Sequence, residues 1–589
     1  MPKHSSSFSH SASYHQGHPD PHAYRPGLWK VLNGAWDFCF DPNNRGEIEH
    51  WESHFPKEHQ IILVPFPYQC PASGIVPPKE KSDILYYHRL ITIESLKRHY
   101  LLTFYGVDHD AKIYVNGILL AVHSGGYDRF HVDITSALHL GENDLTLRIE
   151  DPMDSSFLRG KQRWRSESWA CYYTETSGIV RDVLLEEVGE SYLEDFLLIG
   201  DKEGGIRFKA KAHGAGKPLS LKLLVHGESE ASYSLPLQEG EGEASFLFPN
   251  PRLWDGEDPY LYDAEILLLE QGKEVDRIET YLGFRSWESK EGKLWLNGKP
   301  RYLKFVLDQG YYPGKLTSPE EEDMKEALDK IVDYGFNGLR KHETVEPPLY
   351  YYYLDKMGLY SSFEIPSPYS FDERMERGYF AEMPRLIEQH LSYPSLFLYV
   401  LFNESWGVSD IAFDKAEQSC TIRAYQVAKS LLGPGLFCVG NDGWEHTKTD
   451  VLTLHNYAET YEELDAIYRP AFQTILKGGN PDSLTNYKKF FAQGYSYHGE
   501  PIFFSEFGGI AFQKDTESKD NRWGYGGGVK SEEEYLSKLA DQIRWLKDQP
   551  QICGFCLTQL SDVEQEVNGL LDKDYKPKVA SSSLAKLLK

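Results

Sequence analysis

Two glutamates stand where strand-like apolar runs end. The stretch LYVLFNESWG (398–407) carries Glu404, and PIFFSEFGG (501–509) carries Glu506. Glutamate is almost never fully buried without a partner, so a carboxylate at the mouth of an apolar run has either a salt-bridging cation or chemistry to perform. For one such glutamate alone the salt bridge is the better reading. Two brought to one place can divide a reaction: one carboxyl moves a proton to and from the reacting group, and the other attacks as a nucleophile.

Whether they meet depends on the elements around them. At 589 residues the chain exceeds the roughly 250–300 that one core serves, so several domains are expected. After Gly283 strands alternate with helices, the pattern of a parallel sheet. The candidate strands are YLKFVL (302–307), FNGLRK (336–341), LYSSFE (359–364), LFLYVLFN (396–403), LFCVG (436–440), VLTLHN (451–456), IFFSE (502–506) and CGFCLT (553–558). A helix is expected over 319–334, with Ser318 as N-cap, Pro319 at N1, Glu321 closing a capping box and Gly335 as the stop. Met324, Leu328, Ile331 and Val332 form its apolar face. Further helices are expected over 412–432 and over 531–548, the latter opened by Ser531 and Glu534.

Eight such units over residues 285–589 fit a (β/α)8 TIM barrel. An open doubly wound sheet is the alternative, but no glycine-rich phosphate loop follows the first strand. In a barrel the active site lies at the C-terminal strand ends, and there Glu404 after strand four faces Glu506 after strand seven. A pair about 5–5.5 Å apart is what a retaining glycosidase uses.

Upstream, residues 25–188 read as a β-sandwich of short alternating runs, with Asn116-Gly117 as a hairpin turn. Residues 189–284 read as a second sandwich of immunoglobulin size. The first 24 residues carry no apolar run of signal-peptide length and are expected to be a disordered tail.

The net charge of −27 repels nucleic acid and anionic lipid, so no nucleic-acid or membrane partner is expected. Seven scattered cysteines fit reduced thiols and a cytoplasmic location. Aromatics at 14% suit clefts that stack on ring-shaped ligands. The sequon Asn403-Glu404-Ser405 sits at a strand end. Cys553 and Cys556 face opposite sides of a strand and lack a second pair, so they do not make a zinc site. GYGGG (524–528) lacks a phosphate-loop context and reads as a mobile flap.

NESWG, FFSEFGG, GVDHDAKIYVNG (106–117), GGYDRFHVDIT (125–135) and TSGIVRDVLLEEV (176–188) together resemble glycoside hydrolase family 2, which holds β-galactosidases, β-glucuronidases and β-mannosidases. The similarity runs from about Gly27 to Lys578. It implies a jelly-roll sugar-binding domain, an immunoglobulin-like domain and a catalytic barrel. It also implies Glu404 as acid/base, Asn403 on the sugar 2-hydroxyl, Glu506 as nucleophile, Arg340 as the cation that keeps Glu506 ionised, and Tyr457 as its hydrogen-bond donor.

The sequence departs from the family pattern around the sugar. Leu557 stands near the expected eighth-strand tryptophan, so Trp406, Trp523 or Tyr525 would floor the pocket. VLDQGYYPG replaces the Asn-x-His after strand one, placing Asp308, Gln309 and Tyr311 at the pocket, with His342 and His455 as either further sugar ligands or structural histidines. The Asn-x-Lys of β-glucuronidases has only Asn486-Tyr487-Lys488 as a counterpart, before strand seven; Lys341 or Arg522 would have to bind a uronate.

The expected activity is an exo-acting retaining β-glycosidase, β-galactosidase-like, acting on a small carbohydrate with no cofactor and no metal, with a homo-oligomer as an open option. The rivals are a glucuronidase or galacturonidase, another β-glycosidase of the family, a transglycosylase, and an inactive carbohydrate-binding protein. The stretch 161–187, rich in Trp, Tyr and Arg, is expected either to form an interface with the barrel through Trp164 and Trp169 or to build a second core of the sandwich.

Overall fold

A computed structural model describes residues 14–79, 81–214, 216–227, 230–479, 481, 484–485, 488–512 and 522–589. Two antiparallel sheets face each other in the first zone, one of four strands and one of six. Alternate residues of each strand, among them Phe38, Tyr87, Leu102, Ile113 and Leu147, fill the space between them. Strand Asp110–Val115 turns at Asn116 and Gly117, both left-handed, and returns as Ile118–Ser124, as the Asn-Gly turn requires. The second zone is a smaller sandwich of three and four strands between Tyr192 and Leu282 with its own core.

A three-stranded sheet over Trp287–Arg301 leads into the barrel. Its Trp287 stacks at 4.2 Å on Phe397, at the start of strand four, and so covers the end of the barrel away from Glu404.

All eight expected strands form one parallel sheet: Leu303–Asp308, Gly338–Lys341, Tyr360–Glu364, Leu396–Val400, Phe437–Val439, Leu452–His455, Ile502–Gly508 and Ile552–Thr558. In order around the sheet they run five, four, three, two, one, eight, seven, six. Strands one and eight pair directly, which closes the sheet except at a seam between five and six. Helices follow every strand but the fifth, whose link to the sixth is the loop 440–451.

The helix after strand one differs from expectation at its start. It spans Glu321–Asp333, and Glu320 with Asp323 forms the capping box. Ser318 instead donates to the Val180 carbonyl of the first sandwich at 2.9 Å, so a tertiary partner has taken the hydroxyl that local sequence assigned to a cap. Met324, Leu328 and Ile331 are buried, whereas Val332 is exposed. The helix Glu532–Asp548 is capped by Ser531 as expected.

Residues 14–24, assigned to a disordered tail, are bound to the body of the molecule. Asp20 pairs with Arg129 at 2.8 Å, His22 is buried, and Tyr24 bridges to Glu279. Their buried polar groups find partners far along the chain, which no local pattern reveals. Residues 1–13 lie outside the described ones.

Candidate active site

Strand four ends at Val400, and the chain then turns sharply. Glu404 and Ser405 take consecutive left-handed conformations, with φ of 51° and 62°. Such residues cost about 1–3 kcal/mol each and persist where the surroundings over-determine them. Here the Glu404 amide donates to the Asp442 carbonyl at 3.0 Å and the Ser405 amide to Asn441 Oδ1 at 3.0 Å. The loop after strand five therefore fixes the turn that aims Glu404 at the barrel axis.

Glu506 lies inside strand seven, on the far side of the opening. One oxygen of each glutamate and Nδ1 of His455 all lie within 4.8 Å of one another. His455, at the end of strand six, has Nδ1 at 2.8 Å from Glu404 Oε1 and 3.6 Å from Glu506 Oε1, and Nε2 at 3.1 Å from Asp442. This trio meets the geometry of a cation site, yet the imidazole already supplies positive charge there.

Arg340, 1% exposed at the end of strand two, is the second cation. Its Nη1 donates to Glu506 at 2.8 Å, its Nη2 donates to Asn403 at 2.8 Å and forms an ion pair with Asp442 at 2.7 Å, and its Nε donates to Glu364. The Tyr457 hydroxyl donates to the other oxygen of Glu506. Burial alone would lift the Glu506 carboxyl, but His455 and Arg340, with the Tyr457 bond, outweigh it and hold the group below the ordinary carboxylate range. Burial would likewise discharge His455; Glu506 and Asp442 lift it to about 10. His342 goes the other way: burial, with Arg340 and Lys161 nearby, pushes it well down, and its Nδ1 bonds Glu364 at 2.8 Å.

Of the residues singled out in the sequence, the structure brings Glu404, Glu506, Asn403, Arg340, His455 and Tyr457 into one network, with His342 and Trp406 beside it at 6.2 Å ring to ring. Asp308 does not join them, because its carboxylate is taken by Lys341 at 2.6 Å. Lys341 is taken in turn by Asp308 and Glu346 and has no charge to offer a ligand. Gln309 bonds Gln559 at 2.7 Å, and Tyr311 donates to the Thr174 carbonyl of the first sandwich. Trp523 donates to the Ala170 carbonyl at 3.0 Å, and Tyr525 stacks on Tyr457 at 3.8 Å. Asn486 and Tyr487 lie outside the described residues, and Lys488 pairs with Glu445.

Three residues that sequence reasoning passed over complete the site. Glu364 and Asp442 neutralise Arg340 and orient the two histidines. Both carry the signal that exposed Glu404, a carboxylate closing an apolar run, in LYSSFE and LFCVGND. Lys161 comes from the first sandwich, with its ammonium 4.7 Å from the centre of the Trp406 ring.

The same arm of the first sandwich stacks Trp164 on Tyr369 at 3.8 Å and packs Tyr172 on Trp406 at 5.6 Å. The expected interface therefore forms through Trp164. The Trp169 ring rests on Trp164 and Tyr172. A groove of about 770 Å³ between the second sandwich and the barrel, lined by Phe196, Lys209, Leu235 and Leu431, lies away from the carboxylate pair.

Residues 29–188 match the sugar binding domain model of glycosyl hydrolases family 2, and residues 201–285 match a second model of that family. A β-galactosidase of Alteromonas mediterranea is 24% identical over 569 residues, covering 84% of this chain and 52% of that protein. A Formosa agariphila protein with a provisional β-glucuronidase name is 26% identical over 375 residues, 61% of this chain and 44% of that one. The chain spans about half the length of these sequence relatives. The structure of Bifidobacterium dentium β-glucuronidase complexed with coumarin-3-O-glucuronide superposes with a TM-score of 0.77 at 18% identity, covering 95% and 96% of the two chains.

Proposed function

The chain belongs to glycosyl hydrolases family 2, and from that premise we propose that it is an exo-acting retaining β-glycosidase. The observation that carries this is the approach of a Glu404 oxygen and a Glu506 oxygen to within 4.8 Å. Oxygens that close accord with the roughly 5–5.5 Å carboxyl separation of retaining enzymes rather than with the about 6.5–9.5 Å of inverting ones.

Glu506, kept ionised, attacks the anomeric carbon. Glu404 protonates the departing oxygen, then takes a proton from the water that releases the sugar. With Oε1 of Glu404 held by His455, Oε2 is the atom that carries the proton. Asn403 gives its Oδ1 to Arg340 and keeps a buried Nδ2 without a partner among the described residues, placed to donate to the substrate. The supported pair of carboxylates speaks against an inactive binding protein. Relatives named for β-galactosidase and for β-glucuronidase support a terminal β-linked hexose or hexuronic acid as the glycone. Seven buried free thiols support a reducing, cytosolic setting.

A panel of aryl β-glycosides tests the reading together with Glu404→Ala. The variant should lose about 10²–10⁴-fold on poor leaving groups and much less on activated ones, and azide should restore turnover as a β-glycosyl azide. Equal loss on every leaving group, with no azide product, would remove Glu404 from the acid/base role.

A further inference from the structure

We propose that Lys161, reaching from the first sandwich into the barrel mouth, forms a subsite for an anionic substituent on the substrate, a carboxylate or a sulfate ester. The proposal rests on the glycosidase reading and names the substrate class of the same site.

The position is built rather than incidental. Lys161 is 3% exposed, and its ammonium stands 4.7 Å from the centre of Trp406, 5.7 Å from Tyr172 and 5.8 Å from Tyr173. Its backbone is clamped: the Lys161 carbonyl accepts from the Tyr173 amide at 2.9 Å, and the amides of Arg159 and Gly160 both donate to Ser367 of the barrel at 3.1 Å. A Cβ on Gly160 would sit 2.0 Å from the Glu343 carbonyl, so the two domains touch backbone to backbone beside the lysine.

No ion pair reaches the ammonium among the described residues; it stands beside the Cys171 thiol, and Glu566, Glu343 and Glu506 act from further away. Those acids are otherwise engaged. Glu566 accepts from Tyr173 and Asn568, and Glu506 is held by Arg340 and Tyr457. Glu343 accepts from the Ser367 amide and hydroxyl, and burial pushes it up to about 8, leaving it mostly neutral at pH 7.

Burial works against the Lys161 charge, and Cys171 with the more distant Glu566, Glu343 and Glu506 outweighs it, yet none of these carboxylates makes an ion pair with the ammonium. An anion on the ligand would supply the direct contact that these acids do not make. The neighbouring cations cannot serve that anion, because Arg340 and Lys341 are consumed by protein carboxylates.

The test compares p-nitrophenyl β-hexosides, β-hexuronides and 6-sulfated β-hexosides on the full chain and on Lys161→Met. The ratio of kcat/KM for an anionic over a neutral substrate should fall about 10- to 100-fold in the variant, as for loss of one charged hydrogen bond, mainly through KM. Lys161→Arg should recover part of it. The uronide and sulfate arms show which anion is read. An unchanged ratio, or loss in equal proportion on neutral and anionic substrates, overturns the proposal. If no glycoside is cleaved, the glycosidase reading fails by itself, and Lys161 is then decided by thermal shift. Glucuronic acid or galactose 6-sulfate should raise the Tm of the unmodified chain and not of Lys161→Met, with glucose as the neutral control; no difference between the two proteins refutes the subsite.

Discussion

His455 is the residue through which Glu404, Glu506 and Asp442 sense one another. Burial works against its charge, but Glu506 and Asp442 lift its pKa to about 10, above the roughly 6.5 of free histidine. A raised pKa contributes stability that is fully present below about pH 6.5 and is lost as pH rises through about 10. Glu506 has the opposite sign: with its pKa held down by His455 and Arg340 against burial, its contribution is present above about pH 4.3 and is lost on acidification. His455→Asn should therefore cost about 3–5 kcal/mol near pH 6, as for removal of one buried partner, and the gap to the unmodified chain should close towards pH 10. Denaturant unfolding across that range checks it, and a gap independent of pH would mean that His455 is neutral in the fold. Much of this network could be read in advance. Glu404, Glu506, Arg340 and Tyr457 are polar residues closing apolar runs, a local signal. Lys161 could not be read, because its site is made by a different domain and only the fold brings Trp406 to it.

At the scale of elements, the loop 440–451 does what a helix does elsewhere in the barrel, linking strand five to strand six while holding the Glu404 turn. Gly443 within it has φ +92°, and a Cβ there would meet the His455 ring at 2.7–2.9 Å. Gly443→Ala should thus combine a backbone cost of roughly 1–2 kcal/mol with displacement of a fully buried ring. A shift of about 1 Å in such a group can cost on the order of 10²-fold in rate. Steady-state kinetics beside a denaturation curve checks this; an unaltered kcat would show that the ring position does not matter to the reaction. The strands were legible because each is a short apolar run bounded by turn residues or charge. The missing helix after strand five, and the loss of Ser318 as a cap, were not. Both are settled by partners distant in sequence: the Asp442 carbonyl that receives the Glu404 amide, and the Val180 carbonyl that receives Ser318.

For the molecule as a whole, the first sandwich is part of the barrel's mouth. Arg181 donates to the carbonyls of Thr317 and Val345, Arg385 pairs with Asp128, and Tyr173 donates to Glu566. A fragment beginning near Tyr281 would uncover Tyr369, Trp406 and Tyr311 together, and such apolar patches promote association. We expect it to aggregate and to lack activity on aryl glycosides; a soluble fragment with full kcat would show that the sandwich is dispensable. The bond between Tyr173 and Glu566 spans 393 residues of chain. Chains are made at about 5–20 residues per second, so on the ribosome the aromatic arm waits roughly 20 to 80 s for its last partner. Trp164 and Tyr172 wait a shorter time, for Tyr369 and Trp406, so the arm is a sticky surface on an otherwise finished domain until the third and fourth barrel units emerge, and Tyr173 stays without its acceptor until the chain has passed the eighth strand.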